Sequence, residues 1–219
     1  MAGQLKEVRN RIQSVQSTQQ ITKAMKMVSA AKLRRAQDSI IQMRPYAQKL
    51  QEMLSNIVSN IEGGTSLKLA TERNIEKVLL IVITSDRGLA GAYNSNVVKL
   101  AKQTIAEKYS AQFKKGNVAI WNIGKKGFES MSKSGYKTDA TYKDIFQHLT
   151  FENVQAAAQA AMKGFENGDF DAVEIIYSEF KNAATQRFVA EQFLPVPKVA
   201  KKAGAKKKQI LFSNQTKNN

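Results

Sequence analysis

From Leu5 to Ile61 the chain keeps a seven-residue apolar repeat in one register. The inward positions are Leu5, Val8, Ile12 and Val15, then Leu33, Ala36, Ile40, Met43, Ala47, Leu50, Leu54, Ile57 and Ile61, spaced alternately three and four. That spacing is the seam of a coiled coil, whose two apolar positions per heptad stay on one side of the helix. At 1.5 Å per residue the segment is a rod of roughly 85 Å, far longer than a small domain is wide. Nothing else in the sequence is long enough to cover it, so the stripe calls for a partner.

Between Gln19 and Ser29 the seam positions turn polar (Gln19, Thr22, Lys26, Ser29), while Ile21, Met25 and Val28 form a second apolar stripe on a neighbouring face. Two readings stay open: a stutter within one coiled coil, or a turn that meets a second partner, with Lys23, Lys26, Lys32, Arg34 and Arg35 as its electrostatic contact. Pro45 lies opposite the seam, where it bends a helix without ending it. Gly63 and Gly64 mark the stop.

Charge is distributed unevenly. Residues 1–62 carry ten Lys/Arg against four Asp/Glu, residues 63–197 seventeen against fourteen, and residues 198–219 seven against none, for a net charge of +16. The excess sits on the rod and the tail, which points to an acidic partner: nucleic acid, anionic lipid or an acidic protein surface. No apolar stretch approaches the length of a membrane span, and the N-terminus lacks a signal-peptide core. The chain reads as soluble and unsecreted, and with no cysteine it has neither disulfide nor thiolate chemistry.

Past the glycines the pattern changes to strands alternating with helices. Lys77–Thr84 (KVLLIVIT) reads as a strand buried on both faces. Asn94–Tyr109 reads as a helix, Asn117–Ile123 as a strand, Lys125–Lys133 as a helix, Tyr136–Thr141 as a weak strand and Phe151–Asn167 as a helix. Ala172–Phe180 and Gln186–Leu194 read as two more strands, close enough to pair antiparallel. The fold class is α/β: a long N-terminal coiled-coil helix (1–62), an open Rossmann-like sheet domain (75–197) and a basic polar tail (198–219) that reads as disordered.

The loop Ser85–Gly91 (SDRGLAG) leaves the first strand where such sheets bind phosphate. It has neither the Gly-Lys-Ser/Thr of a P-loop nor GxGxxG, and reads instead as a tight turn with an exposed Asp-Arg pair. His148 stands alone near a helix boundary and reads as structural. Glu72/Glu76, Asp139/Asp144 and Asp169/Asp171 read as surface and loop carboxylates, and no spacing suits a metal. The sequence calls for no catalytic residue, cofactor or metal. Nucleic-acid binding has the basic rod in its favour, but aromatics are not interleaved with the basic residues.

Two segments carry a resemblance. Ile21–Gln37 (ITKAMKMVSAAKLRRAQ) and Ile83–Asn96 (ITSDRGLAGAYNSN) resemble the two signature segments of the γ subunit of F-type ATP synthases, in order and at the expected separation. The resemblance implies a central shaft whose N-terminal helix pairs with a C-terminal helix and turns inside the αβ hexamer. The α/β domain then sits outside, near the membrane c-ring and the ε subunit. It implies that the turn around Lys23, Met25 and Lys26, with Arg34 and Arg35 beyond it, lies near the loop of Asp86, Arg87 and Ala90, and that these meet an acidic loop of a β subunit. It further implies a non-catalytic coupler between ion flow and ATP chemistry, peripheral on the cytoplasmic face of a bacterial inner membrane, with neither nucleic acid nor a membrane span of its own.

Ala90 stands where many members have cysteine. The family's long C-terminal helix is not found after Pro195–Val196–Pro197; Lys208–Ser213 (KQILFS) loosely resembles the strand preceding it, and a truncated, frameshifted or split subunit is the expectation. The rival readings are a basic coiled-coil adaptor or nucleic-acid-binding protein, and a small-ligand-binding α/β protein.

Overall fold

The computed structural model describes residues 2–60, 68–182 and 185–197. The chain divides into two compact units, Met1–Ile57 and Val58–Asn219. The first consists of one α-helix, α1, Ala2–Asn60, 59 residues long, uninterrupted by Pro45 and reaching three residues past the division. The helix stop expected at Gly63 and Gly64 and the tail from 198 onward lie outside the described residues.

The first turn of α1 has no acidic and its last turn no basic residue to complement the backbone dipole. Lys49 and Glu52 form an exposed i,i+3 pair at 3.0 Å, worth little in water. In the polar stretch the hydroxyls turn back onto the helix: Thr18 donates to the carbonyl of Ser14 at 2.9 Å and Thr22 to that of Thr18 at 2.7 Å. Along the seam, Leu5, Val8, Ile12, Val15, Leu33, Leu50, Leu54 and Ile57 are all about half or more exposed. Each large side chain left in water forgoes roughly 1.5–3 kcal/mol of burial.

The second unit buries its own core. β1 (Val78–Ile83) is followed by α2 (Tyr93–Lys108), a short α3 (Ser110–Lys114), β2 (Val118–Ile123), α4 (Lys125–Lys133), α5 (Phe151–Asn167), β3 (Ala172–Phe180) and β4 (Gln186–Leu194). The sheet order is β2-β1-β3-β4, with β1 parallel to β2 and β3, and β4 antiparallel to β3. β1 is central and buried on both faces, as its unbroken aliphatic run requires. Val78, Leu80 and Val82 meet Val97, Ala101 and Ile105 of α2 and Met131 of α4 on one face. On the other face Leu79 and Ile81 meet Ala161 and Phe165 of α5.

Two expectations need correction, and one short helix is new. Tyr136–Thr141 is not a strand of the sheet but makes one parallel bridge, Trp121 with Asp139. Asp139 turns its carboxylate back onto Thr141, accepting from its backbone N–H at 2.7 Å and its hydroxyl at 2.6 Å, and this turn ends the pairing. The helix read over Asn94–Tyr109 is α2, with Tyr109 as its C-cap, and the short α3 that follows was not expected. Tyr109 is buried at the junction, where its hydroxyl donates to Glu174 at 2.7 Å. Asp171 is also more than a loop carboxylate, since it accepts from the backbone N–H groups of Glu76 and Lys77 at 3.1 and 2.9 Å and fixes the entry to β1.

Candidate functional site

The loop after β1 is held from both sides. Three successive N–H groups of α4, which a helix start leaves without internal partners, are taken by the end of the first strand. Lys125 N–H donates to Asp86 Oδ1 at 3.1 Å, Lys126 N–H to the Ser85 carbonyl at 3.1 Å, and Gly127 N–H to Thr84 Oγ1 at 2.8 Å. Two glycines permit this approach. A Cβ on Gly124, at φ +107°, would stand 2.3 Å from the Thr84 carbonyl oxygen, and one on Gly127 would stand 2.7 Å from Thr84 Oγ1. The donors that could cradle a phosphate at this helix end are thus used by the protein itself. Asp86 is therefore half-buried and caps α4, a correction to the exposed Asp-Arg pair of the sequence reading; only Arg87 is exposed.

Asn94, in the first turn of α2, braces the other side. Its Oδ1 accepts from the backbone N–H of Ser85 at 3.0 Å, its Nδ2 donates to Ser85 Oγ at 2.9 Å, and Ser85 Oγ reaches the Arg87 carbonyl at 2.7 Å. The Ala90 carbonyl accepts from Tyr93 N–H at 3.2 Å and opens α2. Arg87, Gly88, Leu89 and Ala90 form the exposed tip between these braces. Leu89 is the one non-glycine residue at positive φ among the described residues (+59°), and it is fully exposed. The left-handed conformation costs a β-carbon-bearing residue about 1–2 kcal/mol.

The other five candidate residues lie on α1. Lys23, Met25, Lys26, Arg34 and Arg35 are all exposed, Met25 at 62%. At 3.6 residues per turn, Lys23 and Arg34 share a face and Lys26 flanks it, whereas Met25 and Arg35 point elsewhere. The basic residues encircle the helix rather than forming one stripe. Asp86, Arg87 and Ala90 are brought together on one loop of the second unit, and the remaining five on one helix of the first.

Sequence reasoning named the Asp86–Ala90 loop without singling out Leu89, and it missed Asn94 and Glu174. A leucine between Gly88 and Gly91 in a tight turn was the available signal for Leu89. Asn94 gave none, because an asparagine in a first helical turn serves many roles. Glu174, in the middle of an apolar strand, was a legible anomaly: it is 2% exposed, is salt-bridged by Lys108 and accepts from Tyr109. Burial, then the bond to Glu174, pushes the Tyr109 hydroxyl far above its ordinary pKa. Its place inside the sheet makes it part of the framework. His148 is exposed, and its carbonyl accepts from Asn153 Nδ2 at 2.7 Å at the start of α5.

Among the described residues no group of His, Cys, Asp or Glu is arranged to hold a metal ion, and no helix is long and apolar enough to cross a membrane.

The profile of the ATP synthase family matches residues 4–219. The ATP synthase gamma chain of Cytophaga hutchinsonii is 53% identical over 192 residues, 88% of this chain and 65% of that one. That of Flavobacterium johnsoniae is 48% identical over 208 residues, 95% of this chain and 71% of that one. Among solved structures, the central stalk and c-ring of the Tetrahymena thermophila mitochondrial ATP synthase contains a chain similar at a TM-score of 0.53 and 27% identity, over 80% of this chain and 72% of that one. The rotor of the Euglena gracilis mitochondrial enzyme has a similar fold at a TM-score of 0.51 and 20% identity, over 88% of this chain and 63% of that one. The chain spans about two thirds of the length of the curated relatives it matches. With the family profile running over nearly the whole sequence and gamma chains at about half identity, the chain belongs to the ATP synthase gamma-chain family.

Proposed function

We propose that this chain acts as a central-stalk γ subunit, coupling ion translocation through a membrane c-ring to ATP synthesis and hydrolysis on the β subunits of an αβ hexamer. Residues 1–62 form one strand of a coiled-coil shaft, residues 75–197 the α/β body outside the hexamer, and residues 198–219 a basic tail. The αβ hexamer, the ε subunit and the c-ring are its partners, and it works as a peripheral protein on the cytoplasmic face of a bacterial inner membrane. Its part in ATP chemistry is mechanical, and the active sites belong to the β subunits.

The observation that carries this reading is the uncovered seam of α1. Residues spaced for a coiled coil along a 59-residue helix stand in water, in a chain of a family whose solved relatives are central stalks. Each unit supplies its own contact with acidic surface of the β subunits: Lys23, Met25, Lys26, Arg34 and Arg35 on the helix, and Asp86, Arg87 and Ala90 on the loop. Asp86 enters the loop's contact indirectly, by holding the loop on α4.

Ion-driven ATP formation in reconstituted vesicles tests the reading. The 219-residue chain alone should support no synthesis, because a lone helix lacks the interlocking seam that resists twisting. Adding a γ-family C-terminal helix, fused after Ser213 or as a separate chain, should restore at least partial coupling. Full synthesis by the unsupplemented chain would contradict the two-helix shaft, and none under either condition would contradict the rotary role. In the supplemented shaft, Lys26→Glu should weaken coupling, more so at low salt, where exposed charges are least screened. Reversing Lys206–Lys208 should matter much less. Equal effects at both places would leave total charge, rather than a specific contact, as the cause.

A further inference from the structure

The tip of the 85–91 loop combines two features that folding alone does not reward. Leu89 is fully exposed, so its side chain gains nothing from the core, and it sits at φ +59°, where glycine or asparagine would fit with less strain. The loop that holds it there is tightly determined. Asp86, Ser85 and Thr84 are tied to the first three N–H groups of α4, and Asn94 clamps Ser85 from α2. A strained, fully exposed apolar residue on a rigid mount is an observed outlier from which function is properly inferred.

We infer that Leu89 is the apolar anchor of the loop's protein contact, a knob held ready to enter an apolar pocket with an acidic rim on the partner. The inference rests on the proposed stator contact and adds to it the residue that supplies residence time. Arg87, exposed two residues earlier on the same tip, supplies the charge that matches the rim. The division of labour follows from general interface physics. A few buried apolar anchors dominate the dissociation rate, rim charges act mainly on association and its salt dependence, and ordering the loop before contact lowers the entropic cost of binding.

The test measures association and dissociation of the full chain on an immobilised F-type αβ hexamer, with the thermal midpoint of each variant in parallel. Leu89→Ala should dissociate about tenfold faster or more, with association and salt dependence unchanged, and Leu89→Met should stay near the parent. Arg87→Ala should slow association at low salt and leave dissociation nearly unchanged. Leu89→Gly should leave the thermal midpoint unchanged or raise it. Parent-like dissociation by Leu89→Ala would overturn the anchor alone, as would a Leu89→Gly chain that melts earlier, since leucine would then be part of the fold. A parent chain that does not bind the hexamer would overturn the proposed stator contact and the anchor with it.

Discussion

β1 and α1 are both rich in aliphatic side chains, but they use them in opposite ways. All six residues of β1 are buried or half-buried, between α2 and α4 on one face and α5 on the other, whereas the seam leucines and isoleucines of α1 stand mostly in water. The α/β unit covers the central strand of its sheet with side chains supplied by the same chain. Among the described residues the exposed seam of α1 has no such cover, and under the proposed function the structure of α1 depends on assembly.

The largest expected effect comes from crowding the α/β unit. Gly124→Ala places a Cβ 2.3 Å from the Thr84 carbonyl at a φ of +107°. It should destabilise the α/β unit by about 3 kcal/mol or more, through backbone strain and steric overlap together. Urea unfolding followed through the lone Trp121, which lies on β2, is the measurement. Retention of parental stability would mean that the 84–86 segment and α4 are not locked together.

A matched pair of truncations sharpens the contrast. Leu80→Ala, in the core beneath α2, should cost about 2–5 kcal/mol. Leu50→Ala, on the seam, should change the stability of the dilute isolated chain by no more than about 0.5 kcal/mol. In the supplemented shaft the second substitution should become costly. Equal costs in the isolated chain would remove the distinction between the two regions.

This contrast also explains what could be read before the structure was seen. The spans of α4, α5, β3 and β4 were legible to the residue, because amphipathic period, the Thr150 cap and Gly168 at φ +80° act locally. The antiparallel return of β4 was legible from the short connection. The failure at Tyr136–Thr141 and the unexpected α3 after Tyr109 have a common cause. Each is decided by one side chain, Asp139 in its own turn or Tyr109 reaching Glu174, and propensity averages over such single contacts. At the candidate site the loop was legible as a loop, and Arg87 as exposed. The capping by Asp86 was not, because α4 is remote in sequence from the residue that caps it. For the five residues on α1, the helix that carries them was legible.

The smallest expected effect is one of pH on the α/β unit. Burial, then the hydrogen bond from its hydroxyl to Glu191 at 2.8 Å, pushes the Tyr177 pKa from 10.0 to about 12. The raised folded value means that the native state holds this proton more tightly than the unfolded chain does. The contribution is therefore fully present below pH 10 and is lost as pH rises toward about 12. Tyr177→Phe should make the decline of stability across that window shallower, read by urea titration at successive pH values. An unchanged slope would mean that Tyr177 titrates alike in both states.

The central claim is that α1 is half of an interface, and hydrogen exchange of the isolated chain, at concentrations set by sedimentation to span monomer and any oligomer, tests it most directly. Amides of β1 and β3 should be protected at every concentration. Those from Leu5 to Asn60 should exchange quickly in the monomer and gain protection only where the chain self-associates or a γ-family C-terminal helix is added. A strictly monomeric chain whose α1 amides are protected as fully as those of the sheet would contradict the account.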